Sequence, residues 1–199
     1  MSDQKRAILV IRHPETMSNA DGQLIGRSDS PISPRGMLQT AALAELVAEW
    51  RPEVIFTSPL GRALDTARAV APDATPVEIL DDLKEIDFGY AEGLTWGEVA
   101  EHGIVLDYSG GPVAPGGEVG AEFAARINRV AAHIAEGPAR AAVVTHGGVF
   151  RHLLVAWLGL PAEAAWRFEV PNAGTAVVRL HSARAVLERL GPVDSVGCV

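Results

Sequence analysis

The stretch AILVIRHPETMSN, residues 7–19, decides the fold. Residues 7–11 form a short continuous apolar run, the pattern of a strand buried on both faces of a mostly parallel sheet. Arg12 and His13 stand immediately past it. Such a pair is costly at the end of a buried strand unless an anion or a catalytic function offsets that cost. Further along, a helical period runs through Leu38, Ala42, Leu46 and Trp50, with Ser33 as its N-cap and Pro34 tolerated at the first helical position. Residues 53–56 read as a second buried strand. Ser58 and Pro59 then read as cap and first turn of a helix carrying Leu60, Leu64, Ala67 and Ala71. A third strand over 75–80 leads into 81–118, an irregular segment rich in Gly and Pro with one helix near 96–101. Inside a compact domain such a segment usually forms a lid or a specificity element. Residues 122–136 are helical by period, 141–145 (AAVVT) form another buried strand, and 149–158 the next helix. Residues 166–170, 175–180 and 184–190 alternate as strands do, the last two forming a hairpin across 181–183. This alternation predicts an α/β fold: a three-layer α/β/α sandwich with a mainly parallel central sheet and antiparallel additions near the C-terminus. No linker or repeat divides the chain, so residues 1–199 are expected to form a single domain.

Composition limits what the chain can do. Of 199 residues, 48% are hydrophobic and 21% charged, which supports a buried core and argues against disorder. The net charge of −8 argues against nucleic-acid and polybasic membrane binding, since both need positive surface. Any anion must therefore meet positive charge locally. The single cysteine, Cys198, fits a reducing compartment, and cytoplasm is the expectation. Residues 7–11 are too short for a signal-peptide core or a membrane span. Apolar helix faces suit either a core or the seam of a homodimer.

Three polar clusters follow three predicted strands: Arg12-His13, residues 58–62, and His146-Gly147-Gly148. Ligands bind at that edge of open α/β sheets, and two of the clusters also open helices, whose amino ends attract anions. Each piece has a plain structural account: a solvated histidine, a surface arginine, or a Gly-Gly turn with φ > 0. Their convergence favours a phosphate, because guanidinium forks match its oxygens. Neither G-x-x-x-x-G-K-[ST] nor G-x-G-x-x-G occurs, which argues against a nucleotide-binding loop. A metal held by His13 and His146 fares badly beside Arg12 and Arg62, which would repel a cation.

Six ordered motifs carry a resemblance from about residue 8 to 180. VIRHPETMSN resembles the R-H-G-E-T-x-x-N signature of the histidine phosphatase superfamily, also called phosphoglycerate-mutase-like. SPISPRGMLQT is similar to its L-T-x-x-G-x-x-Q-A, TSPLGRALDTA to S-x-L-x-R-A-x-x-T-A, and LKEIDFGYAEGLT to L-x-E-x-x-F-G-x-W-E-G. APGGE matches P-G-G-E, and VVTHGGVFRHLL matches V-V-x-H-G-G-x-x-R. The resemblance implies His13 as nucleophile, Arg12 and Arg62 as phosphate clamp, His146 as second imidazole and Glu85 as general acid and base. It extends phosphate contacts to Asn19, to the backbone near Ile25 and Gly26, and to Gly147 at its helix start.

That chemistry requires a neutral His13 whose other N–H is held by a backbone carbonyl, and it requires no metal or cofactor. The substrate would be a small phosphate ester. Pro14 stands where the family usually has Gly, and Ala91 where it often has Trp. Pro14 fixes φ, lacks an N–H and presses His13 towards extended geometry. A cofactor-dependent mutase would need a second phosphate site, yet 94–118 carries Glu98, Glu101, Asp107 and Glu118 and no Lys or Arg. Hydrolysis is therefore expected. The alternatives are a mutase-type phosphotransferase and a repurposed phospho-ligand binder. The length, PISPRG and WRFEVPNAG look most similar to the α-ribazole and broad-specificity phosphatase branches. Arg27, Arg151 and His152 are candidates for reaching the substrate or for the solvated surface.

Overall fold

The run at 7–11 becomes β1 (Arg6–Arg12), with Leu9, Val10 and Ile11 fully buried. A computed structural model describes residues 6–108, 110–182 and 184–193, and the following statements concern those residues. The other strands are β2 (Val54–Thr57), β3 (Val77–Ile79), β4 (Arg140–Thr145), β5 (Gly174–Leu180) and β6 (Ala185–Pro192). They form one sheet in the order β3-β2-β4-β1-β5-β6. Pairing is parallel from β3 to β1 and antiparallel from β1 through β5 to β6, as the sequence predicts.

Six α-helices accompany the sheet: α1 (Met17–Ala20), α2 (Pro34–Trp50), α3 (Gly61–Val70), α4 (Trp96–Glu101), α5 (Gly120–Ala135) and α6 (Gly147–Leu158). Because strand side chains alternate between faces, Leu9 and Ile11 pack with Leu43, Val47 and Ala67 of α2 and α3. Ile8 and Val10 pack with Phe123, Ile127, Phe150 and Leu153 of α5 and α6. The result is a three-layer sandwich. Burying each of these large side chains contributes about 1.5–3 kcal/mol.

Strand register positions the site. β4 lies between β1 and β2, with Arg12 opposite Thr145 and Thr57 opposite Val144. Residues 13, 58 and 146 therefore leave the sheet side by side at one carboxyl edge.

Several expectations need correction. α3 begins at Gly61, so Ser58 is not its cap. The Leu60–Leu64–Ala67–Ala71 stripe is mostly a half-buried flank, and the inward stripe is Arg62, Ala63, Thr66, Ala67 and Val70. On α2 the buried residues are Gly36, Leu43, Leu46 and Val47, while Leu38 is 75% exposed. Residues 166–170 are not a strand: a 3-10 helix spans Ala162–Arg167, its Ala164 and Ala165 packed against Val155 of α6. The third strand is shorter than 75–80. Ala183 and Cys198 lie outside the described residues. No helix among the described residues is long and apolar enough to cross a membrane.

Candidate active site

His13 is pinned by backbone on both sides: its N–H donates to the Thr145 carbonyl (2.8 Å), and its carbonyl accepts from Ala173 N–H (3.2 Å). Its ring has two further contacts. Nδ1 lies 2.7 Å from the Pro14 carbonyl oxygen, and Nε2 lies 3.3 Å from Arg62 Nε. An arginine Nε–H only donates, so Nε2 is the accepting nitrogen and the ring proton sits on Nδ1, donating to Pro14. Burial, with Arg12 and Arg62 close by, holds the imidazole pKa well below its ordinary 6.5, so the ring is neutral. Proline at position 14 costs this arrangement nothing, because the group used is the carbonyl that proline retains.

Arg62 reaches His13 from the first turn of α3. The turn is capped by Asp29, which accepts from Gly61 N–H (2.9 Å) and Arg62 N–H (3.3 Å). The Arg62 guanidinium donates to the Gly26 carbonyl (2.6 Å) and the Ser28 carbonyl (2.8 Å). That loop is held in turn by Glu92, which accepts from Arg27 N–H (2.7 Å), Ser28 N–H (2.9 Å) and the Ser28 hydroxyl. Gly26 thus acts on the site through its carbonyl. It must be glycine, since a Cβ there would meet Glu92 Oε1 at 2.2 Å and the Ile86 carbonyl at 2.3 Å.

His146 is the N-cap residue of α6 and is fully buried. Its Nε2 lies 2.8 Å from Ser58 Oγ, which also accepts from Leu60 N–H at 3.2 Å. The His13 and His146 ring centres are 5.2 Å apart. Burial and the nearby Arg62, His13 and Arg12 hold the His146 pKa well below the ordinary value. Arg12 donates from Nη1 to the Val170 carbonyl (2.7 Å), and burial lowers its pKa to about 10, against the pull of Glu85. Two buried side-chain atoms among the described residues have no hydrogen-bond partner, Arg12 Nε and His146 Nδ1. Buried polar groups are nearly always satisfied, so two orphans beside three cationic or imidazole groups mark an anion site.

Glu85 follows the 3-10 turn Asp81–Leu83, and its carboxylate accepts from Gly148 N–H (2.9 Å) and Ile86 N–H (3.0 Å). Neither Gly147 nor Gly148 takes a positive φ; the pair is there for space. A Cβ on Gly148 would lie 2.5 Å from Glu85 Oε1, and one on Gly147 would lie 3.1 Å from Arg151 Nη1. Buried Arg126 orients the backbone beneath Glu85, donating to the carbonyls of Asp82 (2.7 Å), Lys84 (2.7 Å) and Glu85 (3.2 Å). It also pairs with Glu118 at 2.7 Å.

The structure therefore brings together Arg12, His13, Arg62, Glu85 and His146. A cavity of about 340 Å3 reaches Arg12 and Glu85 of this group and is lined by Asn19, Ile25, Gly147 and Arg151 among others. Asn19 Oδ1 is committed to Thr16 N–H (3.3 Å) and Asn172 Nδ2 (2.9 Å), which leaves its amide nitrogen to offer. Of the three open candidates, Arg151 lines the cavity. His152 is buried against Phe123, and Arg27 pairs with Asp87 (3.6 Å) and Glu118 (3.4 Å). No group of three or more His, Cys, Asp or Glu able to hold a metal occurs among the described residues. Sequence reasoning missed Ser58 as the partner of His146, along with Asp29, Arg126 and Asn172. Asn172 lies in the quoted WRFEVPNAG and Ser58 in the 58–62 cluster, but nothing local marks Asp29 or Arg126, which reach the site across 32 to 44 residues of chain.

These elements gather two imidazoles and two guanidinium groups around one buried point. The chain belongs to the histidine phosphatase superfamily (branch 1), whose profile matches residues 8–192. It is 31% identical over 195 residues to the adenosylcobalamin/alpha-ribazole phosphatase of Escherichia coli K12, covering 91% of this chain and 93% of that one. It is 32% identical over 203 residues to a metal-independent phosphoserine phosphatase of Arabidopsis thaliana, covering 96% and 84%. The crystal structure of the alpha-ribazole phosphatase from Shigella flexneri superposes with a TM-score of 0.83 at 28% identity, over 94% of this chain and 96% of that one.

Proposed function

We propose that the protein is a metal-independent phosphomonoesterase of small phosphorylated metabolites, working through a phosphohistidine at His13. The observation that carries this reading is the state of the His13 ring, with Nδ1–H held by Pro14 and the Nε2 lone pair presented beside Arg62. A neutral, oriented imidazole nitrogen in an anion site can attack phosphorus.

In the first step the Nε2–P bond forms as the P–O bond to the alcohol breaks, and Glu85, as general acid, passes a proton to the departing oxygen. In the second, water attacks phosphorus, the N–P bond breaks, and Glu85 takes the water's proton as phosphate leaves. Arg12, Arg62 and His146 stabilise charge on the equatorial oxygens, with Asn19, Ile25 and Gly147 as further contacts. Ser58 sets the His146 tautomer. Its oxygen accepts from Leu60, and with its one hydrogen given to His146 Nε2 the ring proton sits on Nδ1 as a donor. The opposite tautomer would leave both the hydroxyl hydrogen and Nδ1 unpaired in a fully buried site.

The chain reads as a single cytoplasmic domain with 81–118 as its specificity segment, which contributes Glu85, Phe88, Trp96 and Tyr108 to the cavity wall. Such a wall suits a carbon skeleton better than the second phosphate a mutase holds. Hydrolysis of p-nitrophenyl phosphate in excess chelator tests the reading. Phosphate release that persists with chelator and vanishes in His13→Ala is expected; equal rates in variant and parent would overturn it. Rapid isomerisation of 3-phosphoglycerate with catalytic 2,3-bisphosphoglycerate, without net phosphate release, would instead establish the mutase.

A further inference from the structure

We propose that Arg151 is a specificity residue that takes a carboxylate carried by the substrate alcohol, so that the preferred esters bear a carboxylate within a few bonds of the phosphate oxygen. The proposal rests on the phosphomonoesterase reading and names the substrate class of the same site.

Arg151 lies four residues into α6 from Gly147, so its side chain leans back over the helix start. Two contacts fix its plane. Nε donates to the Phe168 carbonyl at 2.9 Å, and the guanidinium carbon lies 5.7 Å from the centre of the Trp166 ring. Its two terminal nitrogens make no hydrogen bond or ion pair with any described residue. One of them lies 3.1 Å from the point a Cβ on Gly147 would occupy, and Arg12 Nε lies 3.4 Å from that point. Two guanidinium groups therefore flank one glycine at the floor of the cavity. The inner one, Arg12, belongs to the phosphate cluster with Arg62 and His146.

The outer fork has Glu85 and Glu169 as charged neighbours but hydrogen-bonds to neither, so its terminal nitrogens stay open to a ligand. A rigid, planar fork with both terminal nitrogens open matches a carboxylate in a bidentate pair. Its surroundings agree. The Tyr108 and Trp166 rings stand 4.5 Å apart beside it and provide an apolar flank for a short carbon chain. Burial, aided by Glu85, keeps the Tyr108 phenol protonated at neutral pH, so it can donate to an anion without repelling it. A cavity of about 340 Å3 suits a small metabolite.

Matched esters test the assignment, because each pair differs in the carboxylate alone: O-phosphoserine against O-phosphoethanolamine, and 3-phosphoglycerate against glycerol 3-phosphate. In the parent, kcat/KM should favour the carboxylate ester by about tenfold or more, the scale of one charge-assisted pair. Arg151→Gln should bring both ratios near unity, mainly by raising KM for the carboxylate ester, while Arg151→Lys keeps part of the preference. Each ratio is internal to one preparation, so partial misfolding cancels. No preference in the parent, or a preference that survives Arg151→Gln, overturns the proposal. If the parent hydrolyses no ester, p-nitrophenyl phosphate included, the phosphatase reading fails by itself. The same ratios, measured as calorimetric binding of the intact esters, then decide on Arg151.

Discussion

The carboxyl edge of β1, β2 and β4 and the wall formed by 81–118 face each other across the cavity and are built differently. At the edge, His13, Arg62 and His146 are 4%, 3% and 0% exposed, and sheet register fixes the backbone beside each. On the wall, Leu83, Ile86, Phe88 and Ala91 are buried as anchors, while Tyr90, Trp96 and Val105 are 77%, 59% and 77% exposed. Chemistry that needs fixed tautomers and unpaired donors sits where many hydrogen bonds over-determine geometry. On the proposed reading, recognition of the alcohol falls to this wall and to Arg151, where substitutions leave those hydrogen bonds in place. Substitutions in the His13–Arg62–His146 cluster should therefore lower kcat for every ester, and those on the wall, or at Arg151 beside it, should sort one ester from another.

The largest effect is expected at the edge. Arg62→Ala removes both a phosphate ligand and the donor facing His13 Nε2, and should lower kcat by about 10^3-fold for aryl and alkyl esters alike. A loss of only a few-fold would detach Arg62 from the chemistry. Glu85→Gln bridges the two regions: alkyl esters should slow by about 10^2-fold and aryl esters less, since a good leaving group needs less protonation. Unchanged alkyl turnover would remove Glu85 from that role.

Arg126→Met asks how the wall is held. It removes the buried partner of Glu118, whose side chain is 6% exposed, leaving it Arg27 at 3.4 Å, and frees three carbonyls under Glu85. Denaturant unfolding should report a loss of about 3–5 kcal/mol. A loss below about 1 kcal/mol would mean that solvent replaces Arg126 freely.

The smallest effect is a slope with pH. His13 and His146 have pKa values lowered in the folded protein, so the unfolded chain takes up protons first. Their penalty is absent well above 6.5 and grows as pH falls below it, costing up to about 1.4 kcal/mol per pH unit per histidine until the folded-state pKa is reached. Urea midpoints between neutral pH and about pH 5.5 should fall accordingly. A flat profile would contradict neutral, buried imidazoles.

What the sequence discloses follows from how local each cause is. The apolar runs at 7–11 and 141–145, the Ser33-Pro34 start of α2 and the closing hairpin are short-range patterns, and the structure has them close to where they read. The stripe on α3 misleads because its inward face includes a charged residue: Arg62 is buried by carbonyls of a loop 34 to 36 residues away. Leu38 fits the helical period yet faces solvent, because the sheet meets α2 along Leu43, Leu46 and Val47. Ser58 reads as a cap, although Asp29 from a distant loop fills that role and leaves Ser58 to His146. Motif order names His13, Arg12, Arg62, His146 and Glu85, and the structure brings these five together. The hydrogen bonds that orient them are not legible in the motifs, because each is made by tertiary contact.

The most direct test traps the intermediate. Protein quenched within one turnover of a 32P-labelled ester should carry acid-labile, alkali-stable label on His13, and His13→Ala should carry none. Label on another residue, or phosphate released steadily with no labelled protein at any quench time, would contradict the account.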